Sequence, residues 1–136
     1  RYLNDDSSSQ PGGYERESNY LYAPLGSRKD WKLKDRWRLS LTSELDVLII
    51  GRQVSHLGDA NPRYSTVRNW QWPGFGAGLC VEVRHEGQDV DLALAPFLRY
   101  WWIDDSSVDD SSPYLRDVYE PENNTFEYGL SFVVRF

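Results

Sequence analysis

Apolar and polar residues alternate most regularly in the last twelve positions of the chain. Between Thr125 and Phe136 every even position is apolar, whereas most odd positions carry charged, polar or small residues. The apolar positions are Phe126, Tyr128, Leu130, Phe132, Val134 and Phe136. Successive side chains of a strand point to opposite faces, so this period of two predicts a strand with one apolar and one polar face.

The same alternation predicts four earlier strands. They cover roughly residues 14–23, 36–50, 70–84 and 89–103. The second predicted strand has an apolar row from Trp37 to Ile49 and polar residues between these positions. Its length of about fifteen residues exceeds that of most globular strands and suits a strand that crosses a membrane at a tilt.

Turn-forming and polar residues separate the predicted strands. Long polar segments cover residues 1–13, 51–69 and 104–123, whereas residues 24–30 and 85–88 predict short turns. If Glu86 and Gly87 form a two-residue turn, residues whose numbers sum to 173 face each other. This register pairs Arg84 with Asp89, and it places Phe97 over Gly76.

Composition constrains the class of protein. The 136 residues carry a net charge of −6, which does not suit nucleic-acid binding, and the single Cys80 excludes an intramolecular disulfide. The mean hydropathy is −0.65, and no apolar run approaches the roughly 18 residues of a membrane helix. Membrane strands escape that test, because lipid-facing and polar residues alternate in them. Aromatic residues make up 15% of the chain, which aromatic girdles at two membrane interfaces explain.

The terminal segment resembles the C-terminal strand of bacterial outer-membrane β-barrels, in which alternating apolar residues and a final Phe form a signal for the barrel-assembly machinery. The signal residues implied here are Tyr128, Leu130, Phe132, Val134 and Phe136. The implied fold is an all-β, antiparallel, up-and-down transmembrane β-barrel. Residues 14–136 would form the C-terminal part of this single barrel domain, and residues 1–13 an extracellular loop or tail.

The resemblance also implies location and partners. The barrel would lie in the bacterial outer membrane with its long loops extracellular and its C-terminus periplasmic, in contact with lipid and the assembly machinery. Bacterial barrels have at least eight strands, so five predicted strands require others from upstream residues or from other copies of the chain. We therefore expect the chain to be part of a longer product.

The girdle positions follow from this topology. The predicted outer girdle contains Trp70, Trp72, Trp101 and Trp102. The predicted inner girdle contains Tyr20, Tyr22, Trp37, Phe132 and Phe136.

Charged residues of both signs occupy the predicted inward face. The predicted lumen-facing charges are Arg36, Arg38, Glu44, Asp46, Glu82, Arg84, Arg99 and Glu127. They suit either a charged pore that selects ions or a small filled barrel whose interior charges neutralise one another. The mixture of signs on neighbouring strands favours the filled barrel.

Two segments contain residue types that occur in metal sites or in hydrolase active sites, but the spacing in each does not support such a site. Carboxylates of Asp104, Asp105, Asp109 and Asp110 resemble Ca²⁺ ligands, but the stretch lacks the EF-hand spacing, so we predict no metal. Ser55 and His56 invite comparison with outer-membrane lipases and deacylases, but no carboxylate lies at a recognisable spacing and no Gly-x-Ser-x-Gly motif is present. The sequence therefore predicts a protein that is not an enzyme and needs no cofactor.

The favoured function is a porin-like passive channel or a structural surface protein. One alternative is the translocator barrel of an autotransporter, which ends in a similar strand. Another is a soluble, lipocalin-like ligand-binding barrel, in which the apolar row would line a cavity instead of facing lipid.

Overall fold

The computed structural model describes residues 1–109 and 113–136, and it confirms the antiparallel all-β class. The strands are β1 (Tyr2–Asp6), β2 (Glu15–Lys32), β3 (Trp37–Ser55), β4 (Val67–Gln71), β5 (Gly74–Glu86), β6 (Asp91–Ile103) and β7 (Asn123–Arg135). They form a sheet in the order β1-β2-β3-β5-β6-β7, and β4 also pairs with β3. A short 3₁₀ helix covers Leu57–Asp59. None of the described residues form a helix long and apolar enough to cross a membrane.

The strands contribute to two compact units, which are described separately. Unit 1 consists of Arg1–Ala23, Val47–Gly74 and Trp102–Asn123, and unit 2 of Pro24–Asp46, Phe75–Trp101 and Asn124–Phe136. Two short strand connections, residues 33–36 and 87–90, lie in unit 2, and the longer ones, residues 56–66 and 104–122, lie in unit 1. A further short connection, residues 72–73, also lies in unit 1. The predicted strict alternation of short and long connections is therefore wrong, because residues 72–73 and 87–90 are consecutive short connections.

The turn predicted at residues 24–30 is wrong, because β2 continues through Pro24 to Lys32. The chain reverses at Asp35 and Arg36, whose φ angles are 55° and 68°, and the Trp37 amide donates to the Lys34 carbonyl over 3.2 Å. Positive φ at both central residues defines a type I′ turn, whose twist suits a hairpin. Pro24 is tolerated because β1 pairs only with residues 15–19, so β3 is the only described neighbour of β2 at Pro24.

The prediction that residues 1–13 form only a loop or tail is also wrong in part. Residues Tyr2–Asp6 form β1, which pairs antiparallel with β2 from Tyr2 opposite Asn19 to Asp6 opposite Glu15. Backbone hydrogen bonds require no apolar side chains, so this polar segment gave no strand signal. Residues 7–14 form the connecting turn.

The predicted loop at residues 51–69 contains strands at both ends. β3 extends to Ser55, and β4 folds back along it with Gly51 opposite Gln71 and Ser55 opposite Val67. The predicted strand 70–84 is therefore two strands, separated at residues 72 and 73. Pro73 has no amide hydrogen and cannot donate to a sheet ladder, which explains an interruption there.

The β5–β6 register differs from the prediction by four residues. The Asp104 amide donates to the Pro73 carbonyl over 3.0 Å, and a Cβ on Gly76 would lie 2.9 Å from the Trp101 ring. Facing residues thus sum to 177, not 173. The connection is the four-residue segment 87–90, in which a Cβ on Gly87 would lie 2.1 Å from the Val90 carbonyl oxygen.

Both contacts predicted from the earlier register are consequently wrong. Arg84 forms an ion pair with Glu82 instead of Asp89. Trp101, not Phe97, lies over Gly76, whereas Phe97 lies over Gly129 of β7. A shift by an even number of residues leaves both apolar rows on the same side of the sheet, so the assignment of residues to the two faces does not change.

Candidate functional site

The exposed face of unit 2 is apolar. Its exposed side chains include Leu45, Leu79, Leu92, Leu94, Leu98, Phe126, Tyr128, Leu130, Phe132 and Val134. The buried residues of this unit are instead Ser40, Asp46, Ala93 and Ala95. Water-soluble proteins bury leucine and valine and expose aspartate, so the polarity of this sheet is inverted.

Unit 1 shows this inversion only in part, because it buries apolar as well as polar residues. Leu21, Ile50, Trp70 and Trp72 are exposed large hydrophobic residues. The polar residues Gln53, Ser55, Asn69 and Gln71 are buried, together with Leu48, Val54 and Val67. On β3 the buried and exposed positions exchange parity at Ile49 and Ile50, two consecutive exposed residues. The exposed apolar row of β3 therefore ends at Ile50, because the next residues of that parity are the half-buried Arg52 and the buried Val54.

The predicted assembly-signal residues lie on β7 and just after it. Tyr128, Leu130, Phe132 and Val134 are all exposed, with Leu130 at 63%, and Phe136 follows the strand. On the opposite face, Glu127, Gly129 and Val133 are half-buried. The apolar positions of β7 are thus exposed, although Ser131 and Arg135 of the opposite face are exposed as well. The signalling role stays a prediction.

Several charged residues of unit 2, among them predicted lumen-facing ones, form ion pairs within and between strands. Arg28 of β2 donates to Asp30 over 3.0 Å and to the Ser40 hydroxyl over 2.9 Å, and it lies 3.4 Å from Glu82 of β5. Glu82 also pairs with Arg84. This carboxylate is thus shared by Arg84 of its own strand and Arg28 of β2, which compensates its partial burial.

Two further ion pairs join the strands of unit 2. Arg38 pairs with Glu86, and the Arg99 guanidinium lies 3.4 Å from the Glu44 carboxylate. The second pair borders a cleft of about 360 Å³ whose lining includes Gly78. A Cβ on Gly78 would lie 3.7 Å from Arg99 and 3.8 Å from Glu44, so the bare glycine leaves space beneath the pair.

Two predicted lumen-facing residues need separate comment. Arg36 is exposed in the β2–β3 turn and does not lie on the polar face of a strand, so its prediction is wrong. Asp46 is only 2% exposed, and its Oδ1 atom has no hydrogen-bond partner among the described residues, whereas its lumen-facing role stays a prediction.

The sequence missed the polar cluster of unit 1. The Tyr20 hydroxyl hydrogen-bonds Gln71 Oε1 at 3.1 Å, the Ser18 hydroxyl lies 3.5 Å from Gln53, and Arg16 pairs with Glu120. Tyr20 was predicted in the inner aromatic girdle, but its hydroxyl group contacts a buried glutamine. That prediction is wrong, because β2 extends well beyond Tyr20 and the residue does not lie near a strand end.

Asn69 forms hydrogen bonds to the loop that follows β6. It is fully buried, and its Nδ2 atom donates to the carbonyls of Ser107 and Val118 over 2.8 and 2.9 Å. The Ser107 amide also donates to the Trp70 carbonyl over 2.7 Å. β4 therefore holds both described arms of the loop through one side chain and the neighbouring backbone.

The acidic stretch does not assemble as a cation site in the described residues. The Asp105 amide donates to Asp104 over 3.0 Å, and the Arg68 amide donates to Asp109 over 2.7 Å. Asp110 lies outside the described residues. No group of three or more potential metal-ligating side chains occurs in residues 1–109 and 113–136. The carboxylates of Asp104 and Asp109 serve instead as acceptors for the local backbone.

Ser55 and His56 do not form a hydrogen-bonded pair. The Ser55 hydroxyl is buried and has no hydrogen-bond partner among the described residues. His56 Nε2 lies 3.1 Å from the Glu17 carboxylate, a partner that sequence spacing did not suggest. His56 therefore contacts Glu17, and it forms no hydrogen bond with the Ser55 hydroxyl.

Comparison with known proteins found no family model that matches the chain and no curated protein similar to it.

Proposed function

We propose that this chain is part of a bacterial outer-membrane β-barrel whose exposed apolar rows contact lipid. The observation that carries this proposal is the inverted polarity of unit 2, in which leucines are exposed while Ser40 and Asp46 are buried. Contiguous apolar patches of more than a few hundred Å² are rare on soluble monomers. A hydrocarbon solvent removes the cost of exposing such rows.

Strand length supports the same proposal. β5, β6 and β7 have 13 residues each. At about 3.3 Å per residue such a strand is ~43 Å long, and a tilt of about 45° gives a height of ~30 Å, which matches the hydrocarbon core of a bilayer.

Within this class we propose a non-enzymatic structural surface protein or a narrow, porin-like passive channel. The pairs of Glu82 with Arg28 and Arg84, and of Glu44 with Arg99, favour an interior whose charges neutralise one another. A barrel of this class also needs further strands, from upstream residues or from other copies of the chain, to close its sheet.

A soluble lipocalin-like barrel requires the opposite polarity. Its apolar residues would line a cavity and its polar residues would face water. The exposure of Leu130 and the burial of Asp46 therefore weigh against that alternative.

Adjacent residues of β7 provide a direct test, because Leu130 and Ser131 lie on opposite faces and are both exposed. Single cysteines would replace each in a full-length Cys80→Ser protein and would carry an environment-sensitive fluorophore. In phosphatidylcholine vesicles containing brominated lipid, we expect strong quenching of the label at Leu130 and weak quenching at Ser131. Equal and weak lipid quenching at both positions would refute lipid contact. Retention of the unlabelled protein in the membrane pellet after carbonate washing would provide an independent check.

A further inference from the structure

Arg52 occupies an unusual position on the exposed face of unit 1. It lies directly opposite Trp70 in the β3–β4 pairing, and its guanidinium carbon is 5.9 Å from the centre of the Trp70 ring. This distance permits a cation–π interaction. Among the described residues, no carboxylate forms an ion pair with Arg52.

A cleft of about 350 Å³ lies beside this arginine. Its polar lining includes Asn19 and Tyr2, which face each other across the β1–β2 pair. Its apolar lining includes Leu21 and Ile50, both exposed. A cation, an amide and a phenol thus share one cleft with two aliphatic side chains.

We propose that this cleft binds the phosphate headgroup of an anionic membrane lipid, with Arg52 as the principal phosphate ligand. The planar guanidinium group presents several donors that match phosphate oxygens. Leu21 and Ile50 contact the adjoining acyl chain, and Trp70 places the cleft at the depth of an aromatic girdle.

Charge complementarity favours an anionic headgroup over a zwitterionic one. The chain has a net charge of −6, so the protein as a whole does not attract an anion. Binding of an anion therefore depends on cations that lie beside the site. Arg1 also lines the cleft. One basic residue near a membrane surface is worth about a fivefold change in binding of anionic lipid. This inference rests on the proposed membrane location.

Native mass spectrometry of the full-length protein in detergent tests the site, with phosphatidylglycerol and phosphatidylcholine added separately. We expect the wild-type protein to bind phosphatidylglycerol about fivefold more tightly, and Arg52→Gln to abolish this preference. Arg68→Gln is the matched control, because Arg68 is exposed on the same face of β4 but does not line the cleft. An equal concentration of inorganic phosphate should not displace the bound lipid.

Three results would overturn the proposal: a preference that persists in Arg52→Gln, an equal loss in Arg68→Gln, or displacement of the lipid by inorganic phosphate. These results differ from failure of the proposed function. In that case the wild-type protein would not enter pure phosphatidylcholine vesicles, whatever its headgroup preference. A protein that enters such vesicles without preferring phosphatidylglycerol would refute the lipid site alone.

Discussion

Replacing a leucine by arginine at two matched positions separates a lipid-facing sheet from a water-facing one. Leu45 lies in the apolar row of β3 and is 57% exposed, whereas Leu33 lies in the β2–β3 turn and is 52% exposed. If water surrounds both side chains, each Leu→Arg change should alter the free energy of unfolding by no more than about 0.5 kcal/mol.

In the proposed membrane location these two residues would lie at different depths. The Leu33 amide donates to the Trp37 carbonyl over 2.8 Å, so Leu33 lies level with Trp37. Leu45 follows Trp37 by eight residues, which corresponds to ~26 Å along the strand and ~19 Å of depth at a tilt of about 45°. Arginine costs about 2–4 kcal/mol near the midplane and about 0–1 kcal/mol near the interface.

We therefore expect Leu45→Arg to destabilise the inserted protein by about 2 kcal/mol more than Leu33→Arg, a roughly 30-fold difference in the folding equilibrium. Urea titration of the full-length protein in phosphatidylcholine vesicles, followed by tryptophan fluorescence, measures both values. Equal values within about 0.5 kcal/mol would refute the assignment of the exposed face to lipid.

Two further predictions concern packing on the inward face and in the loop. Gly76→Ala should destabilise the protein by about 1–3 kcal/mol, because the added Cβ would lie 2.9 Å from the Trp101 ring. Gly78→Ala should cost less in the same urea titration, because its Cβ would have no neighbour nearer than 3.7 Å. Asn69→Ala should cost about 1–3 kcal/mol by removing the two hydrogen bonds that join β4 to the loop, and hydrogen exchange at the Ser107 amide should accelerate. Unchanged exchange would contradict the role given to Asn69.

The alternating rows of β3, β5, β6 and β7 were predictable from sequence because each has one apolar and one polar face. The ion pairs of Glu44 and Glu82 followed in part, since the inward charges were identified while their partners were not. Arg28 and Asp30 were missed because both faces of β2 are polar between residues 27 and 32, so alternation carries no signal there.

The strand register and the turns could not be predicted from the alternation of apolar and polar residues, for a different reason. A period of two is unchanged by any even shift, so alternation cannot distinguish sums of 173 and 177 for β5 and β6. The loop at Gly87 decides between them through backbone contacts. The turn at Asp35 and Arg36 lacks the glycine that marks most type I′ turns. β4 was not predicted as a separate strand, because the sequence pattern predicted one strand over residues 70–84, whereas the structure has two strands separated at Pro73.

The outer side of β2 sets a condition on how this protein could enter a bilayer. Residues 23–32 have β3 as their only described strand neighbour, so about half of their backbone donors and acceptors point away from it. Hydrocarbon offers these groups no hydrogen bonds, and each unsatisfied group costs several kcal/mol there. The combined penalty exceeds the stability of most domains. In the proposed membrane location, entry into lipid would therefore have to be coupled to pairing along this edge, so the strand that covers β2 would be part of the cooperative unit of insertion.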